Sequence, residues 1–220
     1  MSNNQDFDWN SFESAVLFLK KGIETLLFRD VIKAATGYQI TRFDNNSLEV
    51  VKLIDDWINA NLSTLSDAIY VGFEGRANEL GNRVEEELRK GLNQIPELKC
   101  DKPLLSNGKK QSTGYPDCLI ELNSVKIYAD VKTYQSKTAD STLRSFFYQP
   151  TNKSKIHYDA PHCIIGFETQ SIGGDNKSPF KLIGYKIIDL YNLDVKFKAE
   201  FNADNSKIYT LSRPGNVIDL

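Results

Sequence analysis

Cysteine and histidine are scarce in this sequence: three and two among 220 residues. Cys100, Cys118 and Cys163 are odd in number, far apart and contain no CxxC pair. That excludes a disulfide framework and reads as reduced, mostly buried thiols in a cytoplasmic protein. His157 and His162 are too few for a His/Cys zinc site. Long apolar runs are missing too. None approaches the ~18 residues of a membrane-spanning helix, so no membrane partner is expected. Met1 to Asn10 is polar and acidic with no basic flank before an apolar stretch, which reads as a disordered tail rather than a secretory signal. Internal repeats and linker-like tracts are absent, and the chain is read as one domain, residues 1–220. A dominant charge is absent as well: 27 basic against 29 acidic residues leave a formal net charge of −2, which argues against a non-specific nucleic-acid coat.

What is present is ordinary globular composition, 40% hydrophobic and 25% charged. The charge is unevenly placed. Lys102 to Lys155 holds nine basic and four acidic residues, a balance of +5, and the remainder is −7. A basic middle third between acidic flanks suits a groove that faces a polyanion.

Apolar residues at three-to-four spacing predict helices over Leu17–Ile32 and Leu48–Leu62, with a polar loop, Gly37–Ser47, between them. A third helix is expected from about Arg76 to Asn93, where Leu80, Val84, Leu88 and Leu92 form one stripe ahead of Pro96. Ser106–Pro116 is rich in Ser, Gly, Lys and Thr and reads as a loop. Strands are expected over Asp117–Leu122, Val125–Thr133, Cys163–Thr169 and Lys181–Leu190. Helices followed by strands give an α/β or α+β domain with a central mixed sheet.

The first two strands predict the chemistry. If Asn123-Ser124 is a two-residue hairpin turn, opposed residues sum to 247: Leu122 faces Val125, Glu121 faces Lys126, and Cys118 faces Ala129. One step further, Asp117 meets Asp130, with Lys132 on the same face. Like charges directly opposed in a sheet destabilise it, so the pair needs a cation between them or a proton shared between them, and one ammonium does not neutralise two carboxylates. A divalent ion does, and hard oxygen ligands suit Mg²⁺.

Pro116-Asp117, twelve residues, then Asp130-Val131-Lys132 resembles the PD-(D/E)xK signature of the restriction-endonuclease-like nucleases. The acidic-x-Lys tripeptide alone is uninformative, since it occurs four times, at Glu97, Asp130, Asp175 and Asp194. Only Asp130 has a partner aspartate in register. The resemblance implies a restriction-endonuclease-like core over about residues 76–169, with helices flanking a mixed sheet. It implies that Asp117, Asp130 and the Val131 carbonyl hold Mg²⁺, and that Lys132 orients or deprotonates the attacking water or stabilises its hydroxide. It also implies an acid from the upstream helix, Glu85, with Glu79 and Glu86 as alternatives.

Length, and the lack of a helicase, methyltransferase or second DNA-binding domain, resemble a stand-alone type II restriction endonuclease. Such an enzyme acts as a homodimer on double-stranded DNA, needs no nucleotide cofactor, and leaves 5′-phosphate and 3′-hydroxyl ends. Gln111, Ser112 and Thr113, with Gln135, Ser136, Lys137, Ser141 and Arg144, are the expected DNA-facing donors. Phe146, Phe147 and Tyr148 read as core aromatics, and His157 and His162 as hydrogen-bonded structural residues. A repair or junction-resolving nuclease on the same site, or a DNA-binding protein with a decayed site, remain alternatives.

Overall fold

The computed structural model describes residues 8, 10–11, 13–14, 16–17, 25–70, 79–111, 113–135, 146–172 and 179–197. The chain divides into two compact units, Leu27–Asp194 and Met1–Leu26 with Val195–Leu220. In the second, Asp8 Oδ1 accepts the N–H groups of Asn10 and Ser11, as a helix-capping side chain does. The first carries the site.

Three helices open it. The first, α1, spans Phe28–Thr36. The expected helix over Leu17–Ile32 is therefore displaced. Leu26-Leu27 is extended, Phe28 N–H donates to Leu193 O at 2.8 Å, and the helix runs on past Ile32; residues 18–24 lie outside the described set. The second, α2, covers Asn45–Tyr70 and is longer than expected at both ends. A reciprocal cap starts it early: Ser47 N–H donates to Asp44 Oδ1, and Asp44 N–H donates to Ser47 Oγ. This pairing satisfies amide groups that a first helical turn leaves open. The third, α3, spans Leu80–Leu92, with Leu80, Val84, Leu88 and Leu92 fully buried as the stripe requires.

A five-stranded mixed sheet follows in sequence order: β1 Lys99–Asp101, β2 Cys118–Leu122, β3 Val125–Tyr134, β4 His162–Ser171 and β5 Phe180–Asp189. Neighbours are antiparallel except β3 and β4, which are parallel. Strand β1 had no counterpart in the sequence reading, because three residues are too few to display alternation. The hairpin register is as the sequence sets it, from Leu122 opposite Val125 to Cys118 opposite Ala129. Asn123 takes φ 54, the left-handed conformation that a tight two-residue turn requires.

Helices α2 and α3 cover one face of the sheet. Ile54, Ile58, Val84 and Leu88 meet Ile120, Ile127, Ala129 and Ile165 there in one apolar cluster, which also takes in Cys100, Cys118 and Cys163. Each such aliphatic side chain, fully buried, contributes about 1.5–3 kcal/mol. The opposite face is not left to solvent. Tyr128 and His162 are fully buried on it, with ring centroids 4.8 Å apart. Phe28 of α1 packs edge-on against Tyr115, Phe146 and Tyr148. Phe147, expected in the core, is 56% exposed. Among the described residues no helix is long and apolar enough to cross a membrane.

Candidate active site

Asp117 stands one residue before the first ladder pair of β2, so its backbone is free of the sheet while its side chain is not. Its Oδ2 accepts the backbone N–H of Val131 at 2.9 Å. That bond draws the first acid across the hairpin to the strand carrying the second. Asp130 lies in the middle of β3 and its side chain is 4% exposed, against 17% for Asp117. Burial, together with the Asp117 carboxylate, pushes the Asp130 carboxyl up to about 7, although Lys132 pulls the other way.

Lys132 Nζ lies 2.5 Å from Asp130 Oδ2, 3.9 Å from Asp117 Oδ2 and 3.4 Å from the Val131 carbonyl oxygen. One cation thus faces three oxygens: two carboxylates and a carbonyl. These are the hard donors that a small divalent ion takes when water completes its shell. This all-oxygen donor set fits Mg²⁺. Among the described residues no three of His, Cys, Asp and Glu converge as a ligand group.

The three upstream glutamates are separated by their helical positions. Glu79 precedes α3 and is exposed. Glu86 is on the outer face, paired with Lys90 at 2.7 Å. Glu85 alone is buried, 6% exposed, and its Oε1 lies 3.3 Å from both Arg89 Nε and Lys102 Nζ. Neither contact gives that oxygen an aligned hydrogen bond. Glu85 acts electrostatically on Lys155, as Asp117 and Asp130 do, so the three acids share one neighbourhood.

Of the expected DNA-facing residues, Gln111 and Thr113 are exposed, and Gln111 Nε2 donates to the Thr113 carbonyl and hydroxyl, each at 3.1 Å. Ser112, Ser136, Lys137, Ser141 and Arg144 lie outside the described residues. His157 Nε2 contacts Leu104 O at 2.9 Å, as a structural histidine should. His162 is half satisfied: its Nδ1 is 2.5 Å from Tyr115 Oη, while its buried Nε2 has no hydrogen-bond partner among the described residues. Burial lowers its pKa to about 3, so it is neutral.

Sequence reasoning missed Lys155, which is 4% exposed and donates to Gly114 O at 2.6 Å and Pro116 O at 3.2 Å. No periodic signal marks it, because 146–161 contains no helix or strand.

Residues 22–212 match the family model described as "Type II restriction enzyme MjaV family". The chain is 31% identical over 218 residues to the Type II restriction enzyme MjaV of Methanocaldococcus jannaschii, covering 91% of this chain and 92% of that relative.

Proposed function

The chain belongs to the Type II restriction enzyme MjaV family, and from that premise we propose that it hydrolyses double-stranded DNA at specific sites with Mg²⁺, through Asp117, Asp130, Val131 and Lys132. The observation that carries the metal assignment is the position of Lys132 Nζ among Asp130 Oδ2, Asp117 Oδ2 and Val131 O. An ammonium already gathered by these three oxygens supports reading them as a cation site.

When bound, Mg²⁺ supplies charge neutralisation at the scissile phosphate and makes water a better nucleophile at neutral pH. The protein's own part is positional. Asp130, held neutral more readily than an ordinary carboxyl, would hold the ion in its ionised form together with Asp117 and the Val131 carbonyl. Lys132, on the same face two residues on, would orient the attacking water or stabilise its hydroxide. Asp117, anchored by Val131 N–H, keeps the second carboxylate from rotating away. Glu85 enters as the buried acid of the site, facing Arg89 and Lys102. The products are a 5′-phosphate and a 3′-hydroxyl. Two copies, each cutting one strand in the cytoplasm, complete the reading, with Gln111, Ser112, Thr113, Lys137, Ser141 and Arg144 as the proposed DNA-binding residues.

The test is a long phage DNA incubated with protein and Mg²⁺, beside EDTA and Asp130→Ala controls. Discrete bands that need both the metal and Asp130 are expected. Undiminished cleavage by Asp130→Ala, or in EDTA, sinks the assignment, and a smear removes site specificity.

A further inference from the structure

The loop between β1 and β2 delivers Asp117, yet it borrows its order from a distant segment, Ser154–His157. Ser106 N–H donates to Ser154 O at 3.0 Å, and His157 Nε2 contacts Leu104 O. His157 N–H in turn donates to Tyr128 Oη at 2.9 Å, which fastens the segment to the centre of the sheet. Lys155 sits in the middle of this strap, and its Nζ reaches the end of the loop just before Asp117.

We propose that Lys155 is a positioning residue for Asp117: by holding Gly114 O and Pro116 O it fixes the turn that brings the Asp117 carboxylate to Val131 N–H and so into the cation site. The proposal rests on the reading of Asp117 as a metal-holding carboxylate.

Three observations support it. A buried ammonium is costly unless its N–H groups are satisfied, so a lysine 4% exposed on two carbonyl oxygens is a constructed contact and not a stray one. The two carbonyls flank Tyr115, whose ring is itself held by the contact of its hydroxyl with His162, so the turn is gripped from both sides. The lysine also lies in the field of Asp117, Glu85 and Asp130; burial pushes its ammonium below its ordinary pKa, and the acids push it back up.

A bare charge effect and a positioning effect have opposite signs. Removing a cation near a metal site, with all ligands left in place, tightens metal binding. Releasing the turn that presents a ligand weakens it, and outer partners of metal ligands are worth about 10–100-fold in affinity.

The experiment is Mn²⁺ binding to the DNA-free protein, read by electron paramagnetic resonance, for wild type, Lys155→Met, Asp117→Ala and the double variant. Thermal melting of each is measured alongside. The expected result is about 10-fold weaker Mn²⁺ binding in Lys155→Met with a cooperative melt retained, and no further loss when it is added to Asp117→Ala. Unchanged or tighter binding in a folded Lys155→Met overturns the proposal while leaving the Asp117 reading intact. If Asp117→Ala itself binds Mn²⁺ as wild type does, the reading beneath the proposal fails. Should Lys155→Met not fold, Lys155→Arg decides. It keeps the charge but not the geometry, so weakened binding supports positioning and wild-type binding overturns it.

Discussion

Lys132 Nζ stands 2.5 Å from Asp130 Oδ2, on the face of the hairpin opposite the one that Ile120, Ile127 and Ala129 turn into the apolar core. The ammonium comes from the same strand as the acid, two residues on, because alternate β residues share a face. It offsets the repulsion between two carboxylates that the strand register brings together.

Replacing that ammonium tests its part in the chemistry. Lys132→Met is expected to lower single-turnover cleavage by about 10²–10⁴-fold, the usual scale for a positioned proton-handling group. DNA affinity measured in EDTA should stay within a few-fold, since one partly exposed side chain is altered. A variant that cleaves at the wild-type rate removes Lys132 from the mechanism.

Asp130 carries a trade-off between stability and chemistry. Its folded carboxyl titrates near 7 against an ordinary 3.8, so between those values the folded state binds more protons than the unfolded one. Stability then falls as pH rises through that window. Asp130→Asn removes the term: in EDTA at pH 8 it should be more stable than wild type by about 0.5–2 kcal/mol, with the advantage gone near pH 4, and it should not cut DNA. Urea melts at both pH values check the sign.

His162 contributes the reverse dependence. It is neutral when folded, titrating near 3, but titrates near 6.5 once exposed, so the unfolded state binds the extra proton between those values. Its contribution is complete above pH 6.5 and is lost as pH falls towards 3. His162→Phe should flatten that acid limb. It also leaves the Tyr115 hydroxyl without its partner, at a cost of about 1–3 kcal/mol at all pH values. Denaturation midpoints at pH 7 and pH 4.5 give both quantities, and an unchanged acid slope refutes the assignment.

Gly91 tests the packing that supports the sheet. A Cβ there would lie 2.0 Å from Trp57 Cη2, so α3 meets α2 through a position where only hydrogen fits. Gly91→Ala gains about 1 kcal/mol of helix propensity but forces the indole aside, and overpacking of this kind costs about 1–3 kcal/mol. A net loss is expected in chemical denaturation, and Trp57→Leu added to it should recover stability. A simple gain on Gly91→Ala alone means that the indole moves without penalty.

Much of this protein was legible in order along the chain. The register of β2 with β3 followed from a two-residue turn and strict alternation, because a slip by one residue would send Ile120 and Ile127 to the wrong face. That register alone placed Asp117 beside Asp130 and Lys132. The stripe on α3 was equally local, since four leucine and valine positions at four-residue spacing leave one buried side. Tertiary structure decided what sequence spacing does not encode. It buried Glu85 and exposed Glu86 on one helix, where packing against the sheet decided which of the two adjacent acids was enclosed. It extended Leu26-Leu27 where a helix was expected, since Phe28 N–H finds Leu193 O across the fold. It also brought Lys155 to the turn before Asp117, 39 residues away from Pro116, because a buried ammonium must find oxygen partners wherever the fold supplies them. Contacts set by alternation or helical period are written in the sequence; contacts that satisfy buried polar groups across loops exist only once the chain has closed around them.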